Sequence, residues 1–306
     1  MIFRHEYKGG VWVDLERPSD NEVKQIAEEF SIGQRTVTEV LAPTPAPLTA
    51  RDGNTALLVL HFPAHDEEDD EIKNQEMDFI VGHNFIVTVR YEVVIPLHHL
   101  KKLLEAQELV TGRAPITTDV LLEILFAHLY TSVRDHTNHT ANHLGIIESD
   151  MFSGRKRTTV RLISSVSREF LHMESALANQ EGPLTRFLKL LEQPEFFGST
   201  FTERAERMIS ERTQVAQLIK THRAITAELR ETNMALLETH QNEIMKTLTI
   251  VNFIFLPLGL IAWIFAMRTN GMPIIESENG FWIVLGIMFA VALALTIFFA
   301  RKRWIF

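Results

Sequence analysis

Three groups of side chains have types and spacings that could do chemistry. Asn242, Met245, Thr249, Leu256 and Gly259 are separated by 3, 4, 7 and 3 positions, so on a 3.6-residue period they share one helix face. An Asn and a Thr beside an apolar span face water or a partner rather than hydrocarbon, where an unsatisfied amide or hydroxyl is costly. His136, His139 and His143 stand at i, i+3 and i+7, with Asp135 four positions before His139. Neutral imidazole with a carboxylate suits Zn²⁺. With 13 His in the chain some clustering is expected, so two readings stay open: a zinc-sensing patch, or a solvated or inter-helix polar face. The run Asp66-Glu67-Glu68-Asp69-Asp70-Glu71 offers hard oxygens of the kind that hold Mg²⁺ or Ca²⁺. It lacks the Gly turn of a chelating loop and reads as a solvated loop that concentrates cations electrostatically.

Composition narrows what these groups can serve. The 306 residues carry 39 acidic and 30 basic side chains, a net charge of -9, which argues against a basic nucleic-acid face and favours cations as partners. With no Cys there is no disulfide framework, thiolate metal site or cysteine nucleophile. No phosphate-binding loop, nucleophile elbow or zinc-hydrolase HExxH pattern occurs, so neither an enzyme nor an ATP-driven pump is expected, and no cofactor is required beyond a possible bound Zn²⁺ or Mg²⁺.

The elements that must position these residues follow from where the hydrophobicity lies. Leu248 to Met267 and Phe281 to Ala300 contain no Asp, Glu, Lys or Arg. Each runs about 20 residues, or ~30 Å of helix, the thickness of a bilayer core. The basic cluster Arg301-Lys302-Arg303 with Trp304 fits a cytoplasmic membrane boundary. Two crossings then put both termini in the cytoplasm, in keeping with a start, MIFRHEYKGG, that has no signal-peptide core. No Gly or Pro interrupts Ser199 to Leu256, so one stalk helix is expected to continue into the first span. Its seam of Met208, Val215, His222, Leu229 and Leu236, with Leu218 and Ile225 between, needs a neighbour, either other copies or the chain's own N-terminal domain. Pro257 predicts a kink within the span. Strands are expected at Gly10 to Leu15, Thr55 to Phe62, Met77 to Val81 and Asn84 to Arg90, and a helix at Ser19 to Phe30. Pro43, Pro45 and Pro47 mark a loop. Helices run from Thr117 to about Phe152 and on to about Asn179, with a break at Gly182-Pro183. The expected division is residues 1–116 as an α/β domain, 117–198 helical, 199–267 stalk and first span (248–267), 268–280 an external loop, 281–300 the second span and 301–306 a basic tail.

This α+β membrane architecture resembles the CorA family of divalent-cation transporters. The resemblance covers essentially the whole chain and is carried by Asn242-Glu243-Ile244-Met245-Lys246-Thr247-Leu248-Thr249-Ile250, by Phe255-Leu256-Pro257-Leu258 and by Trp12-Val13-Asp14-Leu15. It implies a homopentameric funnel in a bacterial inner membrane whose first membrane helices line the pore. Asn242 would then offer an amide at the cytoplasmic mouth, and Met245, Leu248 and Leu256 would form apolar collars that gate by dewetting, with Thr249 and Gly259 on the same lining. The family's outer Gly-Met-Asn signature reads Ala266-Met267-Arg268 here, with Asn270 close by. Gly271-Met272-Pro273 and Gly280-Phe281-Trp282 look closer to the ZntB-like branch, implying Zn²⁺ slightly preferred over Mg²⁺, Co²⁺ or Ni²⁺. The rivals are an anion-permeable or cation-blocked relative and a non-conducting membrane scaffold or regulator.

Arg268 generates a prediction. Five guanidinium groups ~10 Å from a dication oppose it by about 0.8 kcal/mol each in water, or ~4 kcal/mol together, falling to ~1.5 kcal/mol in physiological salt. If Arg268 turns outward to Glu276 or Glu278, Arg268→Asn leaves cation flux nearly unchanged in a liposome tracer assay. If Arg268 faces the mouth, the same substitution raises cation flux several-fold. Complete loss of flux contradicts both.

Overall fold

All six residues of the strand Phe85–Arg90 are buried, which a strand achieves when both faces of its sheet are covered. The computed structural model describes residues 2–66, 71–111, 116–153, 156–267 and 279–302, without the side chains of 65, 66, 71, 72, 107–111, 153, 156 and 157. Its contacts divide the chain into two units, Met1–Arg230 and Glu231–Phe306.

The first unit is built on a six-stranded sheet of β1 (Ile2–Tyr7), β2 (Gly10–Glu16), β3 (Leu48–Asp52), β4 (Thr55–Asp66), β5 (Glu71–Val81) and β6 (Phe85–Arg90). Their order is β1-β2-β6-β5-β4-β3, antiparallel except for the parallel pair β2 and β6. Of the acidic run, Asp66 and Glu71 pair across the end of the β4–β5 ladder, and residues 67–70 lie outside the described residues.

One face is covered by α1 (Asp20–Glu29) and α2 (Gln34–Glu39), whose Val23, Ile26 and Val37 pack with Val13, Leu57, Val59, Ile80, Val87 and Val89. α1 starts where a Ser followed three residues later by Glu predicts. The Glu22 amide donates to Ser19 Oγ at 3.4 Å and the Ser19 amide to Glu22 Oε2 at 2.7 Å, a reciprocal capping box. The opposite face carries α3 (Ile95–Thr111), α4 (Thr118–Ser153) and α5 (Lys156–Leu191). There Phe79 stacks on Phe126 at 4.9 Å, and Phe62 meets Tyr130 at 5.8 Å.

Four short or polar elements, β1, β3, α2 and α3, went unread in the sequence, and β5 starts six residues before Met77. The expected break at Gly182-Pro183 is corrected: α5 runs through it to Leu191. Pro183 leaves the Asn179 carbonyl without its helical donor, at a cost of ~3 kcal/mol. Beyond it Leu184, Phe187, Leu188 and Leu191 are each at most 1% exposed. At about 1.5–3 kcal/mol per buried side chain their burial outweighs that loss.

Two buried polar clusters pin the sheet. On the α3–α5 side, Asp14 accepts from Thr88 Oγ1 at 2.6 Å and Arg90 Nε at 3.1 Å and pairs with Lys101, while Arg90 Nη2 also reaches Glu16. On the α1–α2 side, Glu76 and Asp78 stand two residues apart on one face of β5. Glu76 accepts from the Thr44 amide at 2.7 Å and meets His61 Nε2 at 3.3 Å. Asp78 accepts from Tyr91 Oη at 3.4 Å, and its Oδ1 is buried without a hydrogen bond among the described residues. Burial first, then the Glu76 charge, hold the Asp78 carboxyl well above the usual carboxylate range, so it stays protonated where ordinary aspartates ionise.

That shift fixes a sign. A carboxyl with a raised folded pKa binds more protons folded than unfolded, so its contribution is full below the unfolded value near pH 4 and is lost as pH rises through the folded one. Asp78→Asn, which keeps a neutral group facing Glu76, His61 and Tyr91, is expected to flatten the decline in melting temperature of the detergent-solubilised protein between about pH 5 and pH 8. An unchanged slope would show that Asp78 is ionised.

Candidate functional site

The residues singled out for chemistry sit mostly on α6 (Thr202–Ala266), which runs unbroken through Pro257. Of the expected seam in the first unit, Met208 and Val215 are buried, Leu218, His222 and Leu229 are half-buried, and Ile225 is exposed. Phe201, just before α6, and Ala205, Met208, Arg212, Val215, Ile219 and Thr226 follow one another at steps of 3, 4 or, last, 7 residues and are each at most 6% exposed. Of the two neighbours the seam admitted, it takes the chain's own domain. The His222 ring stacks on Phe170 of α5 at 5.7 Å, and Arg212 Nη1 donates to the Leu177 carbonyl at 3.0 Å. Arg204 pairs with Asp119 and Glu123 of α4 at 2.8 and 2.7 Å, and Arg134 of α4 with Glu211 at 2.7 Å.

In the second unit the described elements are the later part of α6 and α7 (Gly280–Arg301), both long and apolar enough to cross a membrane. The less exposed positions of α6 from Thr249 to Phe265 include Ile250, Ile254, Pro257, Leu258, Ile261 and Phe265, one stripe. Those of α7 include Val284, Met288, Val291, Leu295 and Phe299, another stripe, and the Phe253 and Phe299 rings meet at 6.2 Å. These stripes are the less exposed sides of the two helices.

At ~100° per residue, the face of Asn242, Met245, Thr249, Leu256 and Gly259 is centred about 160° from the less exposed stripe of α6. Asn242, Met245 and Leu256 are exposed, Leu256 at 73%, while Thr249 and Gly259 are half-buried. Leu248, also exposed, lies at the edge of this face. Thr249 Oγ1 donates to the Met245 carbonyl at 2.7 Å, which satisfies its proton and leaves its oxygen lone pairs outward. A Cβ added to Gly259 meets nothing within 4 Å, so crowding inside one chain does not require glycine there. Ala266 and Met267 are exposed at the helix end, and Arg268 and Asn270 lie outside the described residues.

The structure adds a residue the sequence reading passed over. Asn252 fills the seven-residue gap between Thr249 and Leu256, is exposed, and makes no side-chain hydrogen bond among the described residues. With it the face reads 242, 245, 249, 252, 256, 259, an uninterrupted 3-4 alternation that the gap itself signalled.

The histidine group is not gathered. Among the described residues no set of three or more His, Asp or Glu is placed to hold a metal ion. His136 turns toward α5, its Nε2 at 2.8 Å from Glu169 Oε1, which also accepts from Thr140 Oγ1 at 2.6 Å. His139 and His143, both exposed, contact each other edge-on at 5.3 Å, and Asp135 is exposed. His136 is held by Glu169 beside the buried Thr137 and Thr140, whereas His139 and His143 are left exposed.

Comparison with known proteins agrees with this architecture. The cobalt/magnesium transport protein CorA of Methanocaldococcus jannaschii is 21% identical over 302 residues, 96% of this chain and 91% of that protein. The complete structure of the CorA magnesium transporter from the same organism superposes with a TM-score of 0.83 at 20% identity, covering 99% of this chain and 94% of that one. The cytoplasmic domain of ZntB from Vibrio parahaemolyticus matches with a TM-score of 0.60 at 13% identity, over 76% of this chain and 89% of that domain. At these identities the structural likenesses speak for the fold. The family model described as CorA-like Mg²⁺ transporter protein matches residues 7–303, and the chain therefore belongs to that family of membrane transporters.

Proposed function

We propose that copies of this chain assemble around the face of Asn242, Met245, Thr249, Asn252, Leu256 and Gly259 into an axial pore that passes divalent cations across a bacterial inner membrane, with both termini cytoplasmic. The observation that carries this reading is the opposition of faces: one side of α6 is a less exposed apolar stripe, and the amides, the hydroxyl and the glycine lie on the other. Family membership and a relative named for cobalt and magnesium transport support Mg²⁺ and Co²⁺ as cargo, and the resemblance supports five copies. The amides and Thr oxygens hold the hydration shell of a dication, while Met245, Leu248 and Leu256 shut the path by dewetting. No energy-coupling chemistry is needed, since a dication moving into a cell at -100 mV gains roughly 4.6 kcal/mol. A preference for Zn²⁺ over Mg²⁺, Co²⁺ and Ni²⁺ is a second reading. It is favoured by Gly271-Met272-Pro273 and Gly280-Phe281-Trp282, whose spacing resembles the ZntB-like branch.

Because the chain has no Cys, single-cysteine variants test the faces directly. In liposomes, Met245→Cys, Asn252→Cys and Leu256→Cys are expected to lose Mg²⁺ flux on addition of a water-soluble cationic thiol reagent, and Ile254→Cys and Ile261→Cys to keep it. Block at Ile254→Cys and Ile261→Cys alone overturns the assignment of faces. ⁶⁵Zn²⁺ and Mg²⁺ fluxes on the same vesicles separate the two cargo readings. Native mass spectrometry in detergent is expected to show a pentamer, and a dominant monomer or dimer removes the axial pore.

A further inference from the structure

Five arginines in the helical layer of the first unit hold a carboxylate: Arg134, Arg204, Arg207, Arg212 and Arg223 are each ion-paired. Arg51, Arg186 and Lys189 differ. They line a single cavity of about 330 Å³ between β3 and the C-terminal turns of α5, with Thr49, Leu190 and Gln193, and none of the three has a carboxylate partner among the described residues. No Asp or Glu lines the cavity. In a chain of net charge -9 three uncompensated cations on one concave surface form a local field of the opposite sign.

Lys189, in the last turn of α5, complements the helix dipole. That accounts for a cation on α5 but not for Arg51 arriving beside it from β3. Arg51 is also held in place. Its Nη1 donates to Gln193 Oε1 at 2.6 Å, its Nε to the Gly53 carbonyl at 3.1 Å, and its guanidinium carbon lies 5.7 Å from the centre of the buried Phe196 ring. Nη2 makes no hydrogen bond among the described residues. The guanidinium is therefore ordered before any ligand arrives, and its planar fork fits two oxygens of a phosphate. Arg186 and Lys189 bring two further positive charges to this solvent-open depression.

We propose that this cavity binds an oligophosphate anion, either the phosphate chain of a nucleoside di- or triphosphate or inorganic polyphosphate. The test is calorimetric titration of the full-length protein in detergent with sodium tripolyphosphate, and separately with ATP, in metal-free buffer against sulfate at matched ionic strength. Saturable one-site binding that survives matched sulfate is expected, weakened about tenfold or more in Arg186→Ala/Lys189→Ala, since charge-assisted contacts are worth ~1.5–3 kcal/mol each. Both substituted side chains are exposed, so the fold should tolerate their removal. Arg35→Ala, on α2, is expected to bind like the unaltered protein. ATP binding tighter than tripolyphosphate assigns the site to a nucleotide; equal or weaker ATP binding assigns it to the phosphate chain. Absence of saturable heat, an unchanged affinity in the double variant, or an equal loss in Arg35→Ala overturns the proposal. The readout is binding, so it stands or falls separately from cation flux.

Discussion

The seam of α6 is the interaction on which the first unit depends. A helix that is apolar along one stripe must bury that stripe, and here Phe201 through Thr226 lay it against the chain's own α4 and α5. Burying Met208, Val215 and Ile219 contributes on the order of 1.5–3 kcal/mol each. The polar members fix the register. Arg212, 6% exposed, must find acceptors where it lands, and it lands on the Leu177 carbonyl and Glu181. A slide of α6 by one turn would strand that charge, which costs more than any single apolar contact regains. The rim pairs of Arg204, Arg134 and Arg223 are partly exposed and add little apiece. Apolar burial therefore supplies the stability and one buried charge supplies the alignment.

The sheet handles its buried charge in two opposite ways. Asp14 is flanked by Arg90 and Lys101 and bonded by Thr88, so its negative charge is compensated from several directions. Thr88 in turn accepts from Trp12 Nε1 at 3.0 Å, which ties the cluster to the largest fully buried side chain. Glu76 and Asp78 meet His61 and Tyr91 among the described residues, and two neighbouring carboxylates there cannot both ionise at low cost. One proton stays. Asp14 thus stabilises the sheet through its pairs with Arg90 and Lys101, and Asp78 as a neutral acid whose worth depends on pH.

The physical basis of what was legible in the sequence is now plain. Long periodic signals were read correctly: β6 as a continuous β-branched run, α1 by its capping box, and the two apolar helices by their lack of charge. Elements specified by tertiary contacts were missed. β1 reads His5 and Glu6 where a strand pattern calls for apolar alternation, and it exists because β2 pairs with it residue by residue. β3 was hidden among threonines and charges, although Asp52-Gly53 preceding Thr55 is a hairpin signal and Gly53 does take a left-handed φ of 61°. Pro183 misled because the local rule prices one lost hydrogen bond and cannot see the four buried side chains that follow it. The histidine spacing misled in a related way. Shared helical periodicity is necessary for a metal site, but Glu169, 33 residues away on another helix, decided where His136 points.

Asn252 shows how far the physics of the second unit reaches. An unpartnered amide placed in hydrocarbon costs about 4–8 kcal/mol on a scale without compensating hydrogen bonds, far more than its apolar neighbours each gain. At ~100° per residue its side chain lies nearly opposite the less exposed stripe of Ile250, Ile254 and Ile261, so no neighbour along that stripe relieves it. Within one described chain, nothing does. In the proposed assembly another copy's polar face or water along the axis would satisfy the amide, since copies of α6 would turn this side toward one another. The same side carries Asn242, the outward oxygen of Thr249 and a glycine that a single chain does not need. The proposed pore is thus the arrangement that meets the cost of Asn252 without adding any group the sequence does not hold.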